Sequence, residues 1–207
     1  MDGTLWNTLD VIVECWNYAF SQFPETRGKK ITQEELMPNM GKTMDQFAAA
    51  ILPELSLEQA VRVMQVCVEE ENLRLSEKGA IIYDGVEEIF PTLVSGGYRI
   101  GIVSNCQSGY IDAFLTDYKL GSYVSDTLCW GDDPAGKASN IRTMIRRNHV
   151  DSAVYVGDTQ GDCRACMQAG VPFIFAAYGF GEVEDDVPLI RSVMELPALL
   201  NHDCDFK

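Results

Sequence analysis

The sequence predicts an α/β protein: a parallel sheet core of βαβ units with a helical insertion near its N-terminus. Three observations predict it. From Tyr83 onward, short apolar stretches alternate with helical periodicity, the pattern of βαβ units. From Asp10 to about Gly79 the texture is helical almost throughout. The chain has 207 residues, room for one domain carrying a smaller insertion. At that length it buries enough apolar surface to need neither disulfides nor a structural metal.

The helical segment opens with Val11, Ile12, Cys15, Trp16 and Ala19 at helix spacing. Thr32 with Glu35, and Ser56 with Gln59, form capping boxes. The second box starts a long run through Leu57, Val61, Met64, Cys67, Val68, Leu73 and Leu75, which stops near Gly79. Strands are expected over 98–103, 123–128, 153–156 and 173–175. Helices are expected near 86–95, 108–117, 138–148 and 161–169, with a short one over 194–200 closing the sheet. The α/β core is therefore assigned to 1–9 and 80–207, and the helical insertion to 10–79.

Composition narrows the function. Hydrophobic residues make up 46% and the net charge is −15, with no basic cluster. Such a surface repels nucleic-acid phosphates and anionic lipid, so neither nucleic acid nor membrane is an expected partner. Seven scattered cysteines, an odd number, imply reduced thiols and hence a cytoplasmic setting, as does the lack of a signal-peptide pattern at Met1. Cys163 and Cys166 read as two small residues one helical turn apart.

Parallel sheets bind ligands beyond the carboxyl ends of their strands. Three strands end in polar residues there: Ser104-Asn105, Gly131-Asp132 and Gly157-Asp158. Asp158 and Asp162, four apart at a strand-to-helix turn, suit a hard cation such as Mg²⁺ or, equally, cap the helix. Ser104 and Asn105 can donate to an oxyanion or start a turn. Lys137 alone reads as solvated surface, and Asp2-Gly3-Thr4 alone as a frayed end. Gly41-Lys42-Thr43 lacks the upstream glycine of a P-loop, since position 36 is Leu36. It reads as a helix-start turn. Trp6, Trp16 and Tyr18 pack, or line a cleft between the helical insertion and the core. His149 and His202 read as surface or capping residues, and the acidic run 182–186 as a solvated loop.

The order of these pieces is the specific feature. Asp2-Gly3-Thr4, then Ser104, then Lys137, then Gly157-Asp158-x-x-x-Asp162 resembles the four motifs of the haloacid dehalogenase superfamily. The branch it looks like is that of the phosphoglycolate-phosphatase-like phosphatases, and the resemblance runs from Met1 to at least Gly181. It implies a Rossmann-like parallel sheet core with an inserted α-helical cap over 10–79, and an Mg²⁺-dependent phosphatase of small phosphorylated metabolites. In such a phosphatase, contact to the substrate's non-phosphate end is the sharper option for Gly41-Lys42-Thr43. Ser104 and Asn105 would bind the phosphoryl oxygens, with Gly3 and Thr4 beside them, and Lys137 would neutralise charge. Asp158 would bind Mg²⁺, Asp162 would bind or orient that site, and Asp2 would face the metal through its backbone carbonyl. The Asp2 carboxylate would protonate the leaving alcohol and then activate water.

In that family the first motif is Asp-x-Asp-Gly-Thr, with the nucleophile at its first Asp. Here Met1 holds the middle position. The nucleophile and the first strand are expected just upstream of Met1, and the chain as written is expected to be inactive by the aspartyl-phosphate route. A start at an internal Met explains this and fits the retained motif residues. A genuine loss would instead leave an inactive phosphate-binding or regulatory protein. A phosphoglucomutase-like phosphotransferase shares the motifs and is the other alternative. Neither the substrate nor the choice between monomer and homodimer is legible.

Overall fold

A computed structural model describes residues 1–201; His202, Cys204 and the remaining tail residues lie outside the described residues. Strand β1 (Trp6–Asn7) leads into helices α1 (Leu9–Ser21), α2 (Gln33–Leu36), α3 (Met44–Ile51) and α4 (Leu57–Lys78). Both expected capping boxes are present, at Thr32/Glu35 and Ser56/Gln59, and Thr43 with Gln46 makes a third. The left-handed backbone of Gly79 (φ 65°) ends α4, a conformation that favours glycine. Strand β2 (Ile81–Ile82) then pairs antiparallel with β1, Trp6 opposite Ile82. The two ends of the helical segment are thereby joined side by side.

The rest alternates as expected: α5 (Val86–Ser95), β3 (Ile100–Ser104), α6 (Tyr110–Asp117), β4 (Val124–Cys129), α7 (Lys137–Arg147), β5 (Tyr155–Gly157), α8 (Gln160–Ala169) and β6 (Phe173–Ala176). Strand β7 (Leu189–Ile190) and helix α9 (Leu196–Asn201) close the described chain. Strand β3 pairs parallel with β4, and β6 parallel with both β5 and β7. This is the α/β architecture with a parallel sheet. The edges of β3 and β5 do not pair with each other among the described residues. A cleft lies between them, lined by Ile102, Val103, Val154 and Val156 with Met1 and Leu5 at one end. The Tyr155 hydroxyl donates to the Val103 carbonyl at 2.8 Å.

Buried side chains sort into separate clusters. Leu9 through Cys67 of the helical segment form one, around Trp16, Phe20 and Phe47. Trp6, Tyr110, Phe114 and Ile174 centre another under the sheet, and Cys163, Cys166 and Ile141 belong to a third. Trp6 meets Tyr110 and Phe114 edge-to-face at 5.2 and 5.1 Å, so it packs in the core and lines no cleft between cap and core. Tyr18 is exposed.

One element corrects the expected pattern. On α4 the buried stripe is Ala60, Val63, Met64, Cys67, Glu71 and Leu75, while Leu57, Val61 and Leu73 are exposed. The helix is rotated so that an acid, Glu71, replaces an apolar residue on the inner face. No helix among the described residues is long and apolar enough to cross a membrane.

Candidate active site

The ends of β3 and β5 open into one pocket beneath the helical segment. Asp2, Ser104, Asn105, Lys137, Asp158 and Asp162 all line it. Residues that read separately as surface, turn or frayed end are therefore brought together.

The N-terminal turn is tightly closed. The Met1 carbonyl accepts from Thr4 N at 3.1 Å and Leu5 N at 2.7 Å, and Gly3 adopts φ 74°. Gly3 and Thr4 are buried, not frayed. Neither lines the pocket. They lie behind Asp158, where the Thr4 hydroxyl donates to Asp158 Oδ1 at 3.0 Å. A Cβ on Gly3 would fall 1.9 Å from Asp158 Oδ2. Gly3→Ala is therefore expected to lose more than the ~1–2 kcal/mol of left-handed backbone strain. Gly28→Ala supplies the comparison: its φ is 73°, but nothing lies within 4 Å of a new Cβ. Thermal unfolding should show Gly3→Ala the more destabilised by at least a further ~1 kcal/mol, the cost of overpacking. Equal losses would refute the contact.

Asp158 is 2% exposed. Its Oδ2 accepts from Phe180 N at 3.0 Å. Burial, then the neighbouring charge of Asp162, pushes its carboxyl up to about 6. The Asp162 carboxyl is held below its ordinary value; burial opposes this, but the Lys137 ammonium outweighs it. Lys137 Nζ bonds Asp162 Oδ1, while Oδ2 accepts from Thr159 Oγ1 at 2.9 Å, Thr159 N at 3.2 Å and Asp158 N at 3.3 Å. Thr159 in turn caps α8. Asp162 is thus both helix cap and partner of Lys137, with both oxygens engaged by protein donors. The Lys137 side chain, at the first residue of α7, is only 10% exposed and not a solvated surface group.

Asp2 is positioned from the other side. Thr8 Oγ1 donates to Asp2 Oδ1 at 2.7 Å and Tyr110 OH donates to the same oxygen at 2.5 Å. Tyr110 is buried, and burial and the Asp2 charge both raise its phenol above the ordinary value, so it remains a donor. Ser104 is buried at the last position of β3, its Oγ accepting from Cys106 N at 3.3 Å. Asn105 reaches across to the helical segment, donating to the Gly41 carbonyl at 2.7 Å. Its Oδ1 is buried without a partner among the described residues. Gly41-Lys42-Thr43 thus starts α3 and also overhangs the pocket, which Lys42 lines. Asp132 bonds Ser108 Oγ at 2.6 Å and holds the loop after β3, outside the pocket lining.

Thr8, Tyr110 and Glu71 escape a sequence reading. Glu71 follows Glu69 and Glu70 and resembles a solvated acidic run. Its spacing of four from both Cys67 and Leu75 is the signal that places it inward.

Among the described residues no three His, Cys, Asp or Glu side chains are gathered as a metal cluster. The donor chemistry nonetheless fits a hard cation. Asp158 is a buried carboxylate that forms no ion pair among the described residues, and it shares the pocket with Asp2.

A sequence profile of the haloacid dehalogenase-like hydrolases matches residues 1–176. A phosphoglycolate phosphatase of Salmonella typhi is 25% identical over 157 residues, 70% of this chain and 62% of the relative. The chain thus spans about three-fifths of that relative's length. Among solved structures, a haloacid dehalogenase-like family hydrolase from Streptococcus pneumoniae superposes with TM-score 0.81 at 15% identity, covering 97% of this chain and 95% of that one. CbbY from Rhodobacter sphaeroides, solved with phosphate, gives 0.74 at 19% identity, covering 95% and 93%. At these identities the superpositions show the fold alone.

Proposed function

The chain belongs to the haloacid dehalogenase-like hydrolase family, and from that premise we propose that its pocket is the phosphoryl-transfer site of an Mg²⁺-dependent phosphatase acting on small phosphorylated metabolites. The observation that carries this reading is the convergence of Asp2, Ser104, Lys137 and Asp158 on one pocket at the strand ends.

The Ser104 hydroxyl donates to a phosphoryl oxygen, and Lys137, fixed by Asp162, places a full positive charge beside it. Asp2 is the general acid and base. Thr8 and Tyr110 hold its Oδ1, leaving Oδ2 to give a proton to the leaving alcohol oxygen and then to take one from the attacking water. Asp158, through its carboxylate, and Asp2, through its backbone carbonyl, would hold Mg²⁺. When bound, the cation neutralises phosphoryl oxygens. Asp162 positions Lys137, and Gly3 and Thr4 support Asp158. The segment 10–79 serves as the cap over the leaving group.

The nucleophile in this reading is an aspartate immediately before Met1, carried on a strand that fills the cleft between β3 and β5. Phosphate release from an ester panel tests it, using a chain extended by an apolar strand ending in Asp. Turnover in Mg²⁺, lost when the added Asp is replaced by Asn, is expected. A folded, extended chain that releases no phosphate would refute it. Transfer to an added sugar phosphate instead of water would mark a phosphotransferase.

A further inference from the structure

The helical segment contributes one buried acid to the pocket. Glu71 is 3% exposed and lines the same pocket as Asp2 and Ser104. Trp16 Nε1 donates to its Oε2 at 2.9 Å. No Lys or Arg among the described residues pairs with it. Lys42, at the exposed rim, donates to Asn39 Oδ1 at 2.7 Å. A carboxyl withdrawn from water without a cation is costly, and burial pushes this one up to about 8.

Its surroundings add a second feature. Trp16 and Phe47 line the pocket beside Glu71 and meet edge-to-face at 5.2 Å. Aromatic rings attract organic cations through their faces, and most strongly where water is excluded. Ile12 and Met44 add apolar lining, and the Gln107 amide is the neutral polar neighbour of Glu71. With its carboxyl raised to about 8, Glu71 is largely protonated near neutrality; a compact ammonium bound here would displace that proton to solvent and become the counter-charge of the carboxylate.

We infer that Glu71, framed by Trp16 and Phe47, determines leaving-group specificity, and that the preferred substrates are small phosphate monoesters carrying a protonated amine and not a second carboxylate. The inference rests on the phosphoryl site proposed above, because the phosphate end sets which part of the ester reaches Glu71. A carboxylate in that position would meet an acid, with Asp2 also nearby.

Binding calorimetry on the 207-residue chain in Mg²⁺ tests this without turnover. The probes are inorganic phosphate, phosphoethanolamine and phosphoglycolate. At pH 8.5, where the Glu71 carboxyl is ionised, phosphoethanolamine should bind at least about tenfold more tightly than phosphoglycolate, because one ligand neutralises that charge and the other opposes it. Glu71→Gln keeps an oxygen for Trp16 Nε1; it should bind inorganic phosphate like the parent and lose the tenfold ratio. Equal or tighter binding of phosphoglycolate by the parent would overturn the inference, as would an unchanged ratio in Glu71→Gln. Failure of inorganic phosphate to bind the parent would instead remove the phosphoryl site, and this inference with it.

Discussion

Lys137→Ala is expected to lower the melting temperature by about 10 °C and to abolish phosphate binding. The Lys137 ammonium and Asp162 carboxylate form a pair with side chains only 10% and 6% exposed. Removing one partner of a buried pair strands the other, at a cost of about 3–5 kcal/mol. A chain of this size loses about 2–4 °C per kcal/mol. The three hydrogen bonds that Asp162 keeps from Thr159 and Asp158 place the result toward the lower end. The pH dependence checks the cause. Asp162 has a lowered folded pKa, so the stability it contributes is present above its unfolded value near 4 and fades as pH falls through the folded value. Without Lys137 the stranded charge is relieved once Asp162 protonates. The gap between variant and parent should therefore be widest near neutrality and narrow below about pH 4. A gap independent of pH would mean that packing, not charge, is lost.

The second large effect concerns the cation. Mg²⁺ at 100 times its dissociation constant should stabilise the protein by about 2.7 kcal/mol, measured as a rise in melting temperature at pH 7.5. The Asp158 carboxyl, raised to about 6, makes this gain depend on pH. Its folded pKa exceeds the unfolded value, so without the cation the folded state holds the proton more tightly. The metal-free protein gains stability from this group as pH falls from about 6 toward 4. Mg²⁺ competes with that proton, and its affinity should drop about tenfold for each pH unit below 6. The thermal shift should be large at pH 7.5 and small at pH 5, and Asp158→Asn should show little at either. A shift of equal size at both values would place the cation elsewhere.

The main architecture was legible because α4 to α8 and β3 to β6 are long enough to show their period. Strands β1, β2 and β7 have two residues each and leave none, so the antiparallel join beneath the helical segment was invisible. Site chemistry divided along a similar line. Asp158 and Asp162 announce themselves at a strand-to-helix turn, though their two candidate roles could be separated only by seeing Lys137 bound to Asp162. The resemblance assigns Gly3 and Thr4 to phosphate binding, whereas in the fold neither lines the pocket and the Thr4 hydroxyl donates to Asp158, 154 positions away. Tyr110 and Thr8 converge on Asp2 from 108 and 6 positions away, a relation that only the fold creates.

A crystal structure of the chain grown with Mg²⁺ and inorganic phosphate is the most direct test of the phosphoryl site. The cation should sit against the Asp158 carboxylate and the Asp2 carbonyl, with the phosphate against Ser104 Oγ and Lys137 Nζ. Phosphate bound away from Ser104 and Lys137, with Asp158 contacting only Thr4 and Phe180, would contradict it.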